Sequence, residues 1–275
     1  MRGVSVSTAP SGQCGCVAKP GEALASTLWG EGPEVVLIHG GMTDGPLAWF
    51  AQEQLGNEWA LRVVDRAGYG KSAALSQGED IELDASLLAE SLRVAPAHVV
   101  GHSSGAIVAL LVAAAVPDSV RSLVVIEPPA YRYLDDPDVQ HLADAGERLW
   151  DETSRTDRDW LLRFFEVYGE DPPPDEIVGL LEPHVSTFRG FVHRPWDIML
   201  PLDAIRAAAI PTLVVSGGHD PAFERLNDAI GEALHARRAV VEGAGHEVQT
   251  TGGPFNEVAS AFWSDIESGR PDEAP

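Results

Sequence analysis

With 275 residues, 44% of them hydrophobic and 22% charged, the chain has the apolar content for one α/β-sized domain with an insertion. It has no run of about 18 apolar residues, which excludes a helix-spanned membrane protein. Nineteen Lys and Arg stand against 42 Asp and Glu, a net charge of −23 that repels phosphate backbones and anionic lipid, so neither nucleic acid nor a membrane is expected as a partner.

The first twenty residues are small and polar and lack the apolar core of a secretory leader, which points to the cytoplasm. Cys14 and Cys16 are too few to build a structural zinc site and read as incidental thiols, and no metal or cofactor is expected. Short β-branched and aliphatic runs then predict strands at Val35–Ile38, Leu61–Val64, His98–Val100, Leu123–Ile126, Leu213–Val215 and Ala239–Val241, several of them halted by Gly or Pro. Helical stretches separate these runs, which is the pattern of a mostly parallel α/β sheet with helices on both faces. Between residues 131 and 200 the strand rhythm stops and the sequence turns acidic and aromatic. That segment is expected to form an inserted helical cap on a core built from residues 1–130 and 201–275. The acidic tail Ser268–Pro275 has little to bury and is expected to fray.

Gly101-His102-Ser103-Ser104-Gly105 fits Gly-x-Ser-x-Gly between a strand and the apolar helix Ala106–Val116. A turn this tight strains its central residue and lifts Ser103 to the carboxyl edge of the sheet, over a helix N-terminus. A serine hydroxyl needs an imidazole to take its proton and a carboxylate to orient that imidazole. His246, in the glycine-rich loop Glu242–His246 after a strand, is the candidate base. His141, His184, His193 and His235 fall on cap or helix segments, and His102 reads as a wedge beside the elbow. Two carboxylates compete for the third place. Asp220 precedes Pro221 and Glu224 and reads equally well as a helix N-cap. Glu127 ends a buried apolar strand before two prolines and needs a partner, which tips the choice toward it; both contributing is the third possibility.

Backbone amides of Gly41, in His39-Gly40-Gly41-Met42, and of Ser104 are the expected oxyanion hole. Met42, Phe188, His193 and Trp196 are the expected substrate contacts, although the cap aromatics read equally well as the cap's own core. The loop Asp65–Ser72 lacks P-loop spacing, and no Gly-x-Gly-x-x-Gly follows the first strand, so it reads as support for turns near the active edge.

Taken together, His39-Gly40-Gly41, the Asp65–Ser72 loop, the Ser103 elbow, Pro211–Val215 leading to Asp220, and Gly245-His246 make the chain resemble the α/β-hydrolase superfamily from about Val35 to Trp263, apart from the cap. The resemblance implies an eight-stranded sheet, a cap over the active edge, Ser103 as nucleophile and His246 as base. It allows the acid after either of two strands and argues against the aspartate-dependent epoxide hydrolases and haloalkane dehalogenases. The Ser-Ser-Gly-Ala elbow with a following glutamate is also similar to macrolactone-opening lactonases. The expected activity is serine hydrolysis of an ester or lactone of a largely apolar small molecule, through an acyl-enzyme. Carbon–carbon bond hydrolysis, cofactor-free oxygen or peroxide chemistry, and non-catalytic binding of a small ligand are the alternatives.

Overall fold

A computed structural model describes residues 23–269, so Cys14, Cys16, the first twenty residues read above and the end of the acidic tail lie outside the described residues. Seven strands form one sheet: β1 (Ser26–Trp29), β2 (Glu34–Ile38), β3 (Ala60–Val64), β4 (Ala97–His102), β5 (Val120–Ile126), β6 (Thr212–Ser216) and β7 (Arg237–Val240). Their order is β1-β3-β2-β4-β5-β6-β7, with β1 antiparallel to β3 and every other pair parallel. The expected count of eight is therefore corrected to seven among the described residues. β1 gives no apolar run because it is a four-residue edge strand whose residues alternate between exposed and half-buried.

Among the described residues ten helices accompany the sheet: α1 (Gly45–Ala48), α2 (Ile81–Leu92), α3 (Ser104–Ala115), α4 (Pro137–Asp151), α5 (Asp157–Val167), α6 (Asp175–Leu181), α7 (Val185–Arg189), α8 (Leu202–Ala207), α9 (Pro221–Leu234) and α10 (Gly253–Glu267). The two-residue period of a strand sorts its side chains into two cores. Val36, Ile38, Val99, Val125 and Val214 pack with α2, α3, α8 and α9. Val35, Leu37, Val100, Val124, Ile126 and Val215 pack on the other face with α10, Trp49 and Trp59. Buried on both sides, the central strands read as unbroken apolar runs, which made them visible in the sequence.

Between β5 and β6 the described chain forms helices α4 to α8 and short 3-10 turns, with no strand, and α4 to α7 make up a helical segment ahead of α8. Asp136 caps α4, accepting from the Asp138 and Val139 amides with Pro137 at the first helical position, and Thr156 caps α5. Leu149, Trp160, Leu161, Val178, Val185 and Phe188 form a core of this segment that also takes in Met42 from the loop after β2. Arg225 on α9 pairs with Asp136 and Asp138, tying the segment to the sheet's helices. No described helix is long and apolar enough to cross a membrane.

Candidate active site

The carboxyl ends of β2, β4, β5 and β6 converge on one place. β4 runs straight into α3, and Ser103, at the joint, has φ 53° and ψ −126°, outside the helical and extended regions. The turn closes this tightly because Gly101 has no side chain: a Cβ there would sit 2.3 Å from the Gly105 carbonyl oxygen. Glu127, one residue past β5, has φ 49°, and Met42, in the loop after β2, has φ 61°. Each such non-glycine position costs on the order of 1–3 kcal/mol, so three around one site mark a place where packing holds the backbone against its preference.

The Glu127 side chain is fully buried. Its Oε1 accepts a 2.9 Å hydrogen bond from the Gly217 amide, and its Oε2 lies 3.6 Å from His246 Nδ1. That distance is within ion-pair range and beyond a hydrogen bond. The close approach depends on Gly217, where a Cβ would fall 1.9 Å from the Gly245 carbonyl oxygen, so only glycine lets the β6 loop and the His246 loop touch. Burial lowers the His246 pKa, but the Glu127 carboxylate, helped by Glu247 and Glu170, outweighs it and raises the imidazole above its ordinary value.

Asp220, the rival carboxylate, is engaged as the N-cap of α9, where its Oδ1 accepts from the amides of Ala222 at 2.7 Å and Phe223 at 3.2 Å. It is Glu127 that the fold brings to His246.

The His246 backbone is held from two directions. His102 Nε2 donates to its carbonyl at 3.0 Å, and burial pushes the His102 pKa down to about 4, so this ring is a neutral prop. The His246 amide donates to Glu170 Oε1 at 2.7 Å, a contact that crosses from the helical segment to the loop after β7. His219 lies between these groups, its Nδ1 3.9 Å from Glu127 Oε1 and its Nε2 3.9 Å from Glu170 Oε1.

Beneath the elbow, the Asp65–Ser72 loop supplies a buried ionic cluster. Arg66 donates to Asp84 at 2.9 Å, Glu79 at 2.7 Å and the Ser104 hydroxyl at 2.8 Å, while Tyr69 donates to Glu79 at 2.6 Å. Burial pushes the Asp84 carboxyl up to about 6 against the pull of Arg66. Because one guanidinium spans α2 and the start of α3, the cluster fixes the elbow from behind.

A cavity of about 280 Å³ opens above these residues and is lined by Gly41, Met42, Ser103, Ser104 and His246 on the sheet side. Trp150, Phe164, Tyr168, Phe188 and Trp196 line it from the helical segment. Phe188 sits so close to the Gly41 backbone that a Cβ there would fall 2.1 Å from its ring. The aromatics thus serve both as pocket wall and as the segment's own packing, with Phe188 counted in each. His193, expected as a substrate contact, is instead on the surface, because the bend that carries it, between α7 and the 3-10 turn Pro195–Asp197, places its Nδ1 2.7 Å from Glu82 of α2. His184 packs against Tyr69. Sequence reasoning did not single out Glu170, His219 or Arg66. Glu170 is hidden in the acidic run before Pro172, whereas Arg66 carries a usable signal, a cation beside Asp65 at the end of the buried strand β3.

A family model described as the alpha/beta hydrolase family matches residues 35–261. The chain belongs to this family. Among curated proteins, it is 29% identical over 220 residues to the pyrrolizixenacetamide deacetylase of Xenorhabdus hominickii, covering 74% of this chain and 79% of that protein. It is also 29% identical over 245 residues to a pimeloyl-[acyl-carrier protein] methyl ester esterase of Neisseria meningitidis, covering 83% and 74% of the two. A thermophilic esterase from Thermogutta terrifontis has a similar fold, with a TM-score of 0.68 at 21% identity over 90% of this chain and 96% of that one.

Proposed function

We propose that the protein is a serine hydrolase that cleaves an ester or lactone of a largely apolar small molecule through an acyl-enzyme. The observation that carries this reading is that Ser103, on its strained elbow, and His246, with Glu127 behind it, meet at one apolar cavity. The relatives support hydrolysis of an acyl group, since one is named a deacetylase and the other a methyl ester esterase.

In this mechanism Ser103 Oγ attacks the substrate carbonyl carbon while His246 Nε2 takes the hydroxyl proton. Glu127 stabilises the imidazolium so formed, and its charge keeps the His246 Nδ1 proton facing it. The oxyanion is received by the amides of Gly41 and Ser104. Ser104 is the first residue of α3, so the helix supplies no acceptor for its amide. Each such donor is worth about 3 kcal/mol in the transition state. His246 then returns the proton to the leaving oxygen, and water activated by the same ring releases the acid.

In this reading residues 131–200 act as a cap whose Trp150, Phe164 and Trp196 select apolar acyl or alcohol groups. Acidic substrates are disfavoured by the net charge of −23. A panel of p-nitrophenyl esters and aliphatic and aromatic lactones, run on wild type and Ser103→Ala, tests the proposal. Turnover by wild type and its loss in Ser103→Ala are expected. Equal turnover by both proteins, or none by wild type across the panel, would remove the proposal.

A further inference from the structure

His219 has no part in the mechanism above, yet it completes a group of three metal-binding side chains. Ligand atoms of Glu127, His219 and His246 all lie within 4.8 Å of one another. Both ring nitrogens of His219 are buried without a hydrogen-bond partner, and Glu127 Oε2 and His246 Nδ1 face each other at 3.6 Å, longer than a direct hydrogen bond. An unpartnered buried polar atom costs about 1–3 kcal/mol, and a cation held between His219, Glu127 and His246 would relieve that cost at one His219 nitrogen while bridging the other two side chains.

The spacing suits a cation better than direct hydrogen bonds. Nitrogen and oxygen ligands of a tetrahedral zinc ion, each roughly 2.0–2.1 Å from the metal, stand about 3.4 Å apart. The observed separations are 3.6 Å from His246 Nδ1 to one Glu127 oxygen and 3.9 Å from His219 Nδ1 to the other, with the whole set inside 4.8 Å, so small side-chain shifts inward would bring the three ligands onto one ion. Two imidazoles and one carboxylate favour Zn²⁺ and its neighbours over Mg²⁺ or Ca²⁺, which take all-oxygen sites.

We propose that Glu127, His219 and His246 form an inhibitory site for Zn²⁺ or a similar divalent transition metal. The inhibition follows from the tautomer of one ring. Without metal, His246 carries its proton on Nδ1 toward Glu127 and offers the Nε2 lone pair to Ser103. A metal bound at Nδ1 takes that lone pair, so the neutral ring must carry its proton on Nε2. The Nδ1 proton leaves to solvent, Nε2 takes one up, and no net proton is exchanged. With Nε2 protonated, the ring cannot accept the Ser103 proton. The inhibition rests on the serine-hydrolase reading; the binding does not.

The test measures the two separately. Calorimetric Zn²⁺ titrations of wild type, Ser103→Ala and His219→Gln report binding, and the visible d–d bands of Co²⁺ report coordination geometry without any substrate. Wild type and Ser103→Ala are expected to bind one equivalent equally well with a tetrahedral Co²⁺ spectrum. His219→Gln is expected to keep its thermal midpoint and basal ester hydrolysis while binding zinc more than about tenfold more weakly. Zn²⁺ should suppress hydrolysis by wild type, and His219→Gln should need a more than tenfold higher concentration for the same effect.

Equal binding by wild type and His219→Gln, or no tetrahedral Co²⁺ spectrum in wild type, would overturn the site even if hydrolysis is as expected. Tight, His219-dependent binding that leaves hydrolysis untouched would overturn the inhibition. If Ser103→Ala hydrolyses like wild type, the hydrolase reading fails, while calorimetry and the cobalt spectrum still decide the metal site.

Discussion

Replacing Glu127 by glutamine changes one oxygen for an NH2 group and leaves the volume unchanged. The amide oxygen keeps the Gly217 hydrogen bond, 2.9 Å long in the native protein, so folding should be little affected. The charge beside His246 is lost. At 3.6 Å, with an effective dielectric constant of about 20, a carboxylate stabilises an imidazolium by about 4–5 kcal/mol, or roughly three orders of magnitude in rate. The glutamine NH2 would also face Nδ1 as a donor and favour the tautomer with the proton on Nε2, an effect that in a serine-protease triad reaches about 10⁴-fold. A fall in kcat/KM of about 10³- to 10⁴-fold is expected, with a thermal midpoint close to wild type. Asp220→Asn is the control: asparagine caps a helix as well as aspartate, so α9 and hydrolysis should both be retained. Steady-state hydrolysis of a chromogenic ester, with circular-dichroism melts on each variant, decides the matter. A larger loss in Asp220→Asn than in Glu127→Gln, or a Glu127→Gln enzyme within tenfold of wild type, would refute the reasoning.

Other outcomes follow from contacts around the site. Arg66→Ala leaves Glu79 and Asp84 buried without their cation and should lower stability by about 3–5 kcal/mol, read as a shift in urea midpoint. Glu170→Ala removes the acceptor for the His246 amide and should lower kcat about tenfold, whereas Glu170→Gln, whose side-chain oxygen can accept the same N–H, should restore most of it. Burial pushes the His98 pKa down to about 4 despite the nearby Glu267 carboxylate, against 6.5 in the unfolded chain. Below pH 6.5 the unfolded state therefore binds a proton at this ring that the folded state refuses, and the contribution of His98 to stability should fall by about 1.4 kcal/mol per pH unit until about pH 4. Urea titrations from pH 7 to 4 should show a pH dependence that is shallower in His98→Gln than in wild type by about this slope.

The sheet was legible because its central strands are buried on both faces and leave continuous apolar runs, as at Val35–Ile38 and Leu123–Ile126. β1 was not, because an edge strand such as Ser26–Trp29 buries little and carries no such run. The elbow could be read from its glycines and flanking elements. The pairing of His246 with Glu127 could be weighed only by asking which carboxylate lacked a local use, and Asp220 does have one, as the N-cap of α9. Glu170 and His219 were illegible for a different reason. Their proximity to His246 depends on how the helical segment and the loop after β6 fold back over the sheet, separations of 76 residues for Glu170 and a loop crossing for His219, and no local pattern records them. His193 shows the converse: an aromatic neighbourhood in sequence placed it near the cavity, but its turn faces α2 and the surface.

Intact-protein and peptide mass spectrometry after treatment with a fluorophosphonate probe tests the covalent role of Ser103 most directly. One adduct per chain on the Ser103 peptide is predicted for wild type, with none in Ser103→Ala and a much slower appearance in His246→Ala. Sustained ester hydrolysis with no adduct on Ser103, or with the adduct on another residue, would contradict the account.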